Sequence, residues 1–202
     1  MTVIAFDGIN LAADKAEFFC GVMTEVTKLF LFEDINPKVD EFFKCNFHRR
    51  KILMGLAGRV KDITDFLNAL RQGDIKTLNR LAEDKECDLE GIIINVSEGR
   101  MFYLYNQLAL KENFSLPMVR GSATPFTYGA MIAGLDAVEA VSAAVQYTDH
   151  AGLGVNVFTL SDEALARFPE ALYNGIVRKP YYLDSAKQKI SEVSKPRIIV
   201  SP

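Results

Sequence analysis

Residues Thr2 to Phe6 form an apolar, β-branched run that stops at Asp7-Gly8, and Leu11 to Ala13 resume it on the far side. Two short apolar runs divided by such a dipeptide read as a tight β-hairpin. A chain that opens this way commits its first residues to an antiparallel pair. A second hairpin is expected where Ile92 to Val96 and Met101 to Tyr105 flank Ser97-Glu98-Gly99-Arg100, because Gly99 can supply the positive φ such a turn needs. Glu25 to Phe32, Lys51 to Ala57 and Gly154 to Leu160 add further strands, the second of them ending in Gly58.

Between these runs the period changes. Ile63, Phe66, Leu67 and Leu70 fall on one helical face that Gly73 ends, and Asp74 then reads as the N-cap of a second short helix carrying Ile75, Leu78 and Leu81. A small-residue helix is expected from about Pro125 to Leu135, with Gly129 and Gly134 allowing a neighbour to approach closely. Asp136 and Glu139 are spaced as a capping box ahead of the stripe Ala137, Ala140, Val141, Ala144 and Val145. Asp162 to Leu172 reads as a short helix, and Ile198-Ile199-Val200 as a final strand. Glu33 to Arg50, with Pro37 and the aromatic residues Phe42, Phe43 and Phe47, reads as an excursion from a sheet.

Hairpins make antiparallel sheets, and each helix group must cover a sheet face. Two sheets packed together with helices outside satisfy both conditions. With 202 residues the chain suits one domain spanning 1–202, with an insertion at about 33–50 and a divergent tail from about 161. At 49% hydrophobic residues, disorder is excluded. A net charge of -3 gives no general attraction to a phosphate backbone, so the His48-Arg49-Arg50-Lys51 run reads as a solvated loop rather than a nucleic-acid patch. Cys20, Cys45 and Cys87 are odd in number and widely spaced, which argues against a disulfide framework, and with only two histidines no zinc site and no other metal or cofactor is expected. No window is long and apolar enough for a membrane span. A reducing cytoplasm is the expected location.

Thr2 follows the initiator Met. Removing Met1 would put a hydroxyl and an α-amine on one residue, and that amine has a reference pKa of roughly 7.7–8.0, close enough to neutrality to act as a base. Lys28 stands within a hydrophobic run and needs a partner, which Asp14, at the end of the Leu-Ala-Ala segment, could supply. A positive charge near the terminus disfavours protonation of the amine. The competing reading has Lys28 snorkelling at an edge and Asp14 closing a turn.

The ordered set of motifs is more specific than any one of them. Thr2-Val-Ile-Ala-Phe, Leu11-Ala-Ala-Asp14, Thr27-Lys28-Leu-Phe, Met54-Gly-Leu-Ala-Gly58-Arg-Val-Lys-Asp62, Arg120-Gly-Ser-Ala-Thr-Pro-Phe-Thr-Tyr-Gly129 and Asp136-Ala-Val-Glu-Ala-Val through Tyr147-Thr-Asp149 to Gly154-Val-Asn-Val run from residue 2 to about 160. In this order they resemble the proteasome β-subunit superfamily of N-terminal nucleophile hydrolases, at a length similar to its bacterial heat-shock ring peptidase.

The resemblance implies a four-layer αββα sandwich and a threonine endopeptidase. It matches Thr2 to the nucleophile, Asp14 to the aspartate closing the first hairpin, and Lys28 to the lysine that tunes the terminal amine. Gly58 matches the glycine whose N–H faces the oxyanion, Ser122 and Asp149 the supporting serine and aspartate, and Leu56 a residue lining the pocket for the substrate side chain before the cleaved bond. Where proteasome β subunits place a serine before paired glycines, this sequence has Gly152 or a deletion. Implied partners are a peptide or unfolded protein substrate, further copies in a homo-oligomeric ring, and a separate ATP-dependent unfoldase; no nucleic acid and no membrane are implied. The rival readings are a non-catalytic ring or scaffold subunit of the same fold, and an N-terminal nucleophile amidase acting on a small amide.

Overall fold

The N-terminal hairpin lies in the middle of a sheet. In the computed structural model, which describes residues 2–19, 22–33, 35–169 and Leu172, β1 (Ile4–Phe6) pairs antiparallel with β2 (Asn10–Asp14). The turn is closed by Asp7, whose Oδ1 accepts from Ile9 N at 2.8 Å and Asn10 N at 2.7 Å while Gly8 takes φ 96°. A short two-stranded ribbon follows, made of β3 (Ala16–Phe19) and β4 (Val22–Glu25), ahead of β5 (Leu29–Phe32). The expected single strand over 25–32 is thus two strands in different sheets, broken across Val26, Thr27 and Lys28.

After α1 (Lys38–Phe43) come β6 (Ile52–Gly58), α2 (Val60–Gln72), α3 (Ile75–Glu83), β7 (Leu89–Asn95), β8 (Arg100–Tyr105), β9 (Ala109–Asn113) and β10 (Met118–Arg120). The chain then forms α4 (Thr124–Ile132), α5 (Ala137–Tyr147), β11 (Val155–Thr159) and the one-turn α6 (Asp162–Leu165). The expected helix over 162–172 therefore stops early, with Pro169 four residues beyond its end. The expected strand at 198–200 lies outside the described residues.

Local chemistry accounts for the helix ends. Gly73 takes φ 68° and ends α2, and the Asp74 side chain accepts from Lys76 N and Thr77 N to start α3. The Asp136/Glu139 capping box is present in full and starts α5.

The strands make two large antiparallel sheets, one ordered β10-β1-β2-β11 and one ordered β5-β6-β7-β8-β9. Alternation along each strand splits the core into three layers. Along β6, Ile52, Met54 and Leu56 face α2 and α3, where they meet Phe66, Leu70, Leu78 and Leu81. Leu53 and Ala57 face the other way and join Ile4, Phe6, Leu11, Ile92 and Ile94 between the sheets. Val3, Ala5 and Ala12 leave the far face of the first sheet to pack on Ala137, Ala140, Val141 and Ala144 of α5. Three apolar layers between four structural layers are the αββα sandwich, and the alternation of the sequence dictates them.

The 33–50 excursion is part of this core. Ile35, Val39 and Phe47 are fully or almost fully buried on the helix side of the five-stranded sheet, and the Phe47 ring meets Phe102 edge-on at 5.7 Å. Asn36 N bonds Leu70 O and its side chain reaches Gln72 O, so the segment caps the C-terminal end of α2.

Candidate active site

The site begins where β2 ends. Asp14 is completely buried, and its carboxylate accepts from Val3 N at 2.8 Å, Ala16 N at 3.2 Å, Gly152 N at 3.2 Å and Lys28 Nζ at 2.8 Å. Lys28 stands just before β5, also buried, and donates to Ala16 O as well. Its surroundings settle the choice between snorkelling and pairing: the ammonium is inside, held by Asp14. Burial is the larger influence on its acidity and pushes the Lys28 pKa below the usual lysine value, against the opposing pull of Asp14 and Glu17.

Thr2 lies beside this pair because Val3 N, the next amide along the chain, is anchored on Asp14. On its other flank Thr2 N donates to Ser122 Oγ at 2.9 Å. The Ser122 hydroxyl has one proton to give, with Thr2 O at 3.2 Å and His150 O at 3.3 Å both in reach. Gly121, at φ 103°, passes so close to Thr2 that a Cβ there would overlap the Thr2 carbonyl. Gly58 ends β6 at φ 136°, where a side chain would overlap the Asp88 carbonyl. Only glycine fits this close approach of the β6 and β7 backbones.

Thr2, Lys28, Leu56, Gly58 and Ser122 line one cavity of about 1230 Å³. Phe30, Leu56, Ile63 and Leu67 give it an apolar wall, the start of α2 contributes Val60, Lys61 and Thr64, and Glu17, Asp88 and Glu90 add negative charge. The β3–β4 ribbon, which the sequence reading missed, forms a further wall through Ala16, Glu17, Val22 and Thr24. A signal for it existed in the two short β-prone runs either side of Cys20-Gly21. None of the described residues of the 33–50 excursion lines the cavity.

Asp149 is not brought into this group. It is exposed after α5, and among the described residues the polar contacts from its loop are made by backbone instead, through the His150 carbonyl and the Gly152 amide. Gly152 also explains its own identity. A Cβ there would lie 2.9 Å from Met23 Sδ and 3.2 Å from the Ala16 Cβ, so a serine would press on the ribbon. Among the described residues no group of His, Cys, Asp or Glu could hold a metal ion, and no helix is long and apolar enough to cross a membrane.

No family model and no curated protein matches the sequence. Solved structures do match. Anbu, the ancestral beta-subunit, from Yersinia bercovieri is 13% identical with a TM-score of 0.62, covering 100% of both chains. The helical assembly of the Anbu complex from Pseudomonas aeruginosa is 13% identical with a TM-score of 0.60, also over 100% of both chains. BPH from Thiobacillus denitrificans is 18% identical with a TM-score of 0.53, covering 79% of this chain and 97% of its own. The fold of the chain is that of the proteasome-like N-terminal nucleophile hydrolases.

Proposed function

We propose that this chain, built on the N-terminal nucleophile hydrolase sandwich, is a threonine peptidase that becomes active when removal of Met1 exposes Thr2. The observation that carries the reading is the convergence of Thr2, the buried Asp14–Lys28 pair, Ser122 and Gly58 at one cavity. Thr2 Oγ attacks the peptide carbonyl carbon and its proton passes to the α-amine. The oxyanion forms toward the Gly58 N–H, a kind of donor whose loss costs roughly 2.7–4 kcal/mol in transition-state stabilisation. Collapse breaks the C–N bond, the amine fragment leaves with the proton, and water then hydrolyses the Thr2 ester. Lys28 keeps the amine unprotonated, and the apolar wall around Leu56 takes an apolar side chain before the cleaved bond.

The test joins intact mass with turnover. Loss of one Met, hydrolysis of short peptides with apolar residues before the bond, and its abolition in a folded Thr2→Ala protein are the expected results. Epoxomicin, with which the Thiobacillus denitrificans BPH forms a complex, is the probe of choice. Full retention of Met1, or turnover that survives Thr2→Ala, refutes the proposal.

The exposed position of Asp149 and the glycine at 152 favour a second reading, a non-catalytic subunit of the same fold, which predicts no turnover in any form of the protein. Self-association belongs to either reading, since the Pseudomonas aeruginosa relative forms a helical assembly; native mass spectrometry counts the copies. A separate unfoldase would be detected as ATP-dependent degradation of a folded substrate.

A further inference from the structure

Arg120 is the last residue of β10 and precedes Gly121-Ser122 directly. Its guanidinium lies 4.2 Å from the ring centroids of both Tyr103 and Tyr105. Phe102 and Leu104, the alternate residues of β8, face the helices, so these two tyrosines face the gap between the sheets, and Arg120 reaches across that gap to them. The two rings fix the position of the charge.

The charge itself is unanswered. Arg120 Nε is buried without a hydrogen-bond partner, and no carboxylate among the described residues forms an ion pair with the guanidinium. Glu90 lines the neighbouring cavity but is not paired with it. A held, partly dehydrated guanidinium favours an anion, and a planar carboxylate fits its fork best.

Its position relative to Thr2 says which anion. Arg120 is the register partner of Ile4, and Thr2 lies two residues further along the same edge. Diagonal neighbours of this kind are roughly 7–8 Å apart across a ladder. Asp14, Lys28 and Leu56 lie toward β2, β5 and β6, whereas Arg120 and Ser122 lie on the opposite, β10 side of Thr2. Arg120 does not itself line the cavity; a peptide that meets the Leu56 wall with the residue before the cleaved bond and continues past Thr2 on the β10 side would bring its leaving part toward the strand that carries Arg120.

We propose that Arg120, lying over the rings of both Tyr103 and Tyr105, binds a carboxylate on the leaving side of the substrate, either the C-terminal carboxylate of a short peptide or an acidic side chain just after the cleaved bond. This rests on the peptidase reading for its orientation, but binding can be measured without turnover.

The experiment titrates the Thr2→Ala protein, by calorimetry, with three peptides: Ac-Ala-Ala-Leu-Ala amide, its free acid, and Ac-Ala-Ala-Leu-Asp amide. One or both carboxylates bind about tenfold to a hundredfold tighter than the neutral amide, as a hydrogen bond to a charged group allows. Preference for the free acid alone identifies the terminal carboxylate, and preference for the Asp peptide alone identifies the side chain. The preference disappears with Arg120→Met. It weakens with Arg120→Lys, which keeps the charge and loses the fork, so a folding defect in the Met variant does not decide the matter.

Equal binding of all three peptides, or a preference that survives Arg120→Met, overturns the assignment. Arg120-dependent carboxylate binding without hydrolysis by the Met1-free wild-type protein supports the site and refutes only the peptidase reading. Hydrolysis without carboxylate preference does the reverse.

Discussion

Replacing Asp14 by Ala removes one carboxylate from four donors at once. Val3 N, Ala16 N and Gly152 N lose their acceptor, and a buried ammonium is left without its counter-charge. Stranding one member of a buried pair costs about 3–5 kcal/mol, which for a domain of this size lowers Tm by roughly 6–20 °C. Lys28→Met is the milder change. It leaves Asp14 still accepting from three backbone N–H groups, so the carboxylate stays solvated by the protein, and the loss is about 1.5–3 kcal/mol.

The double replacement Asp14→Ala/Lys28→Met should cost less than the sum of the two, because the second substitution removes the charge that the first one stranded. Urea unfolding of the four proteins, with equal m-values, gives the order and the coupling. A Lys28→Met protein less stable than Asp14→Ala, or two costs that simply add, would refute the pairing of Asp14 with Lys28 as the source of these losses.

Three further outcomes follow from the same geometry. The Lys28 pKa is lowered in the folded protein, so the unfolded chain binds more protons in the window between that lowered value and the ordinary lysine value of 10.5; wild-type stability relative to Lys28→Met should therefore rise with pH as 10.5 is approached, and a flat or falling difference in urea midpoints refutes it. Gly58→Ala meets the Asp88 carbonyl at a positive φ, so the β6–β7 end must deform; loss of peptide hydrolysis with a Tm drop of several degrees is expected, and unchanged stability contradicts the packing. Phe47→Ala empties a fully buried aromatic site outside the cavity lining and should cost about 3–5 kcal/mol while sparing kcat/KM for a short peptide once folded; selective loss of activity would place the 33–50 segment at the cleft after all.

Elements with a local cause were legible in the sequence. Asp7-Gly8 specifies the first hairpin, Gly73-Asp74 separates α2 from α3, and Asp136 with Glu139 starts α5, each through hydrogen bonds made within a few residues. Elements that depend on distant partners were not. The edge strand β9 carries Lys111 and Glu112 and has no apolar alternation, and β10 is three residues long; both exist because β8 and β1 offer them a ladder. The apolar run at 25–32 conceals the break at Lys28, which the chain makes to carry an ammonium inward to Asp14. Of the candidate site, Thr2, Asp14, Lys28, Gly58, Ser122 and Leu56 reach one region, whereas Asp149 does not. Arg120 gave no sign of itself, since its significance comes from tyrosines on another sheet.

Because β1 is hydrogen-bonded on both sides, by β10 and by β2, Thr2 cannot retreat from the cavity it lines. Any tag added upstream leaves the Thr2 amine, the group the proposed reaction uses, blocked as an amide. A purification handle placed upstream would mask the very groups it was meant to help study, and one that leaves Thr2 as the first residue after cleavage would restore them.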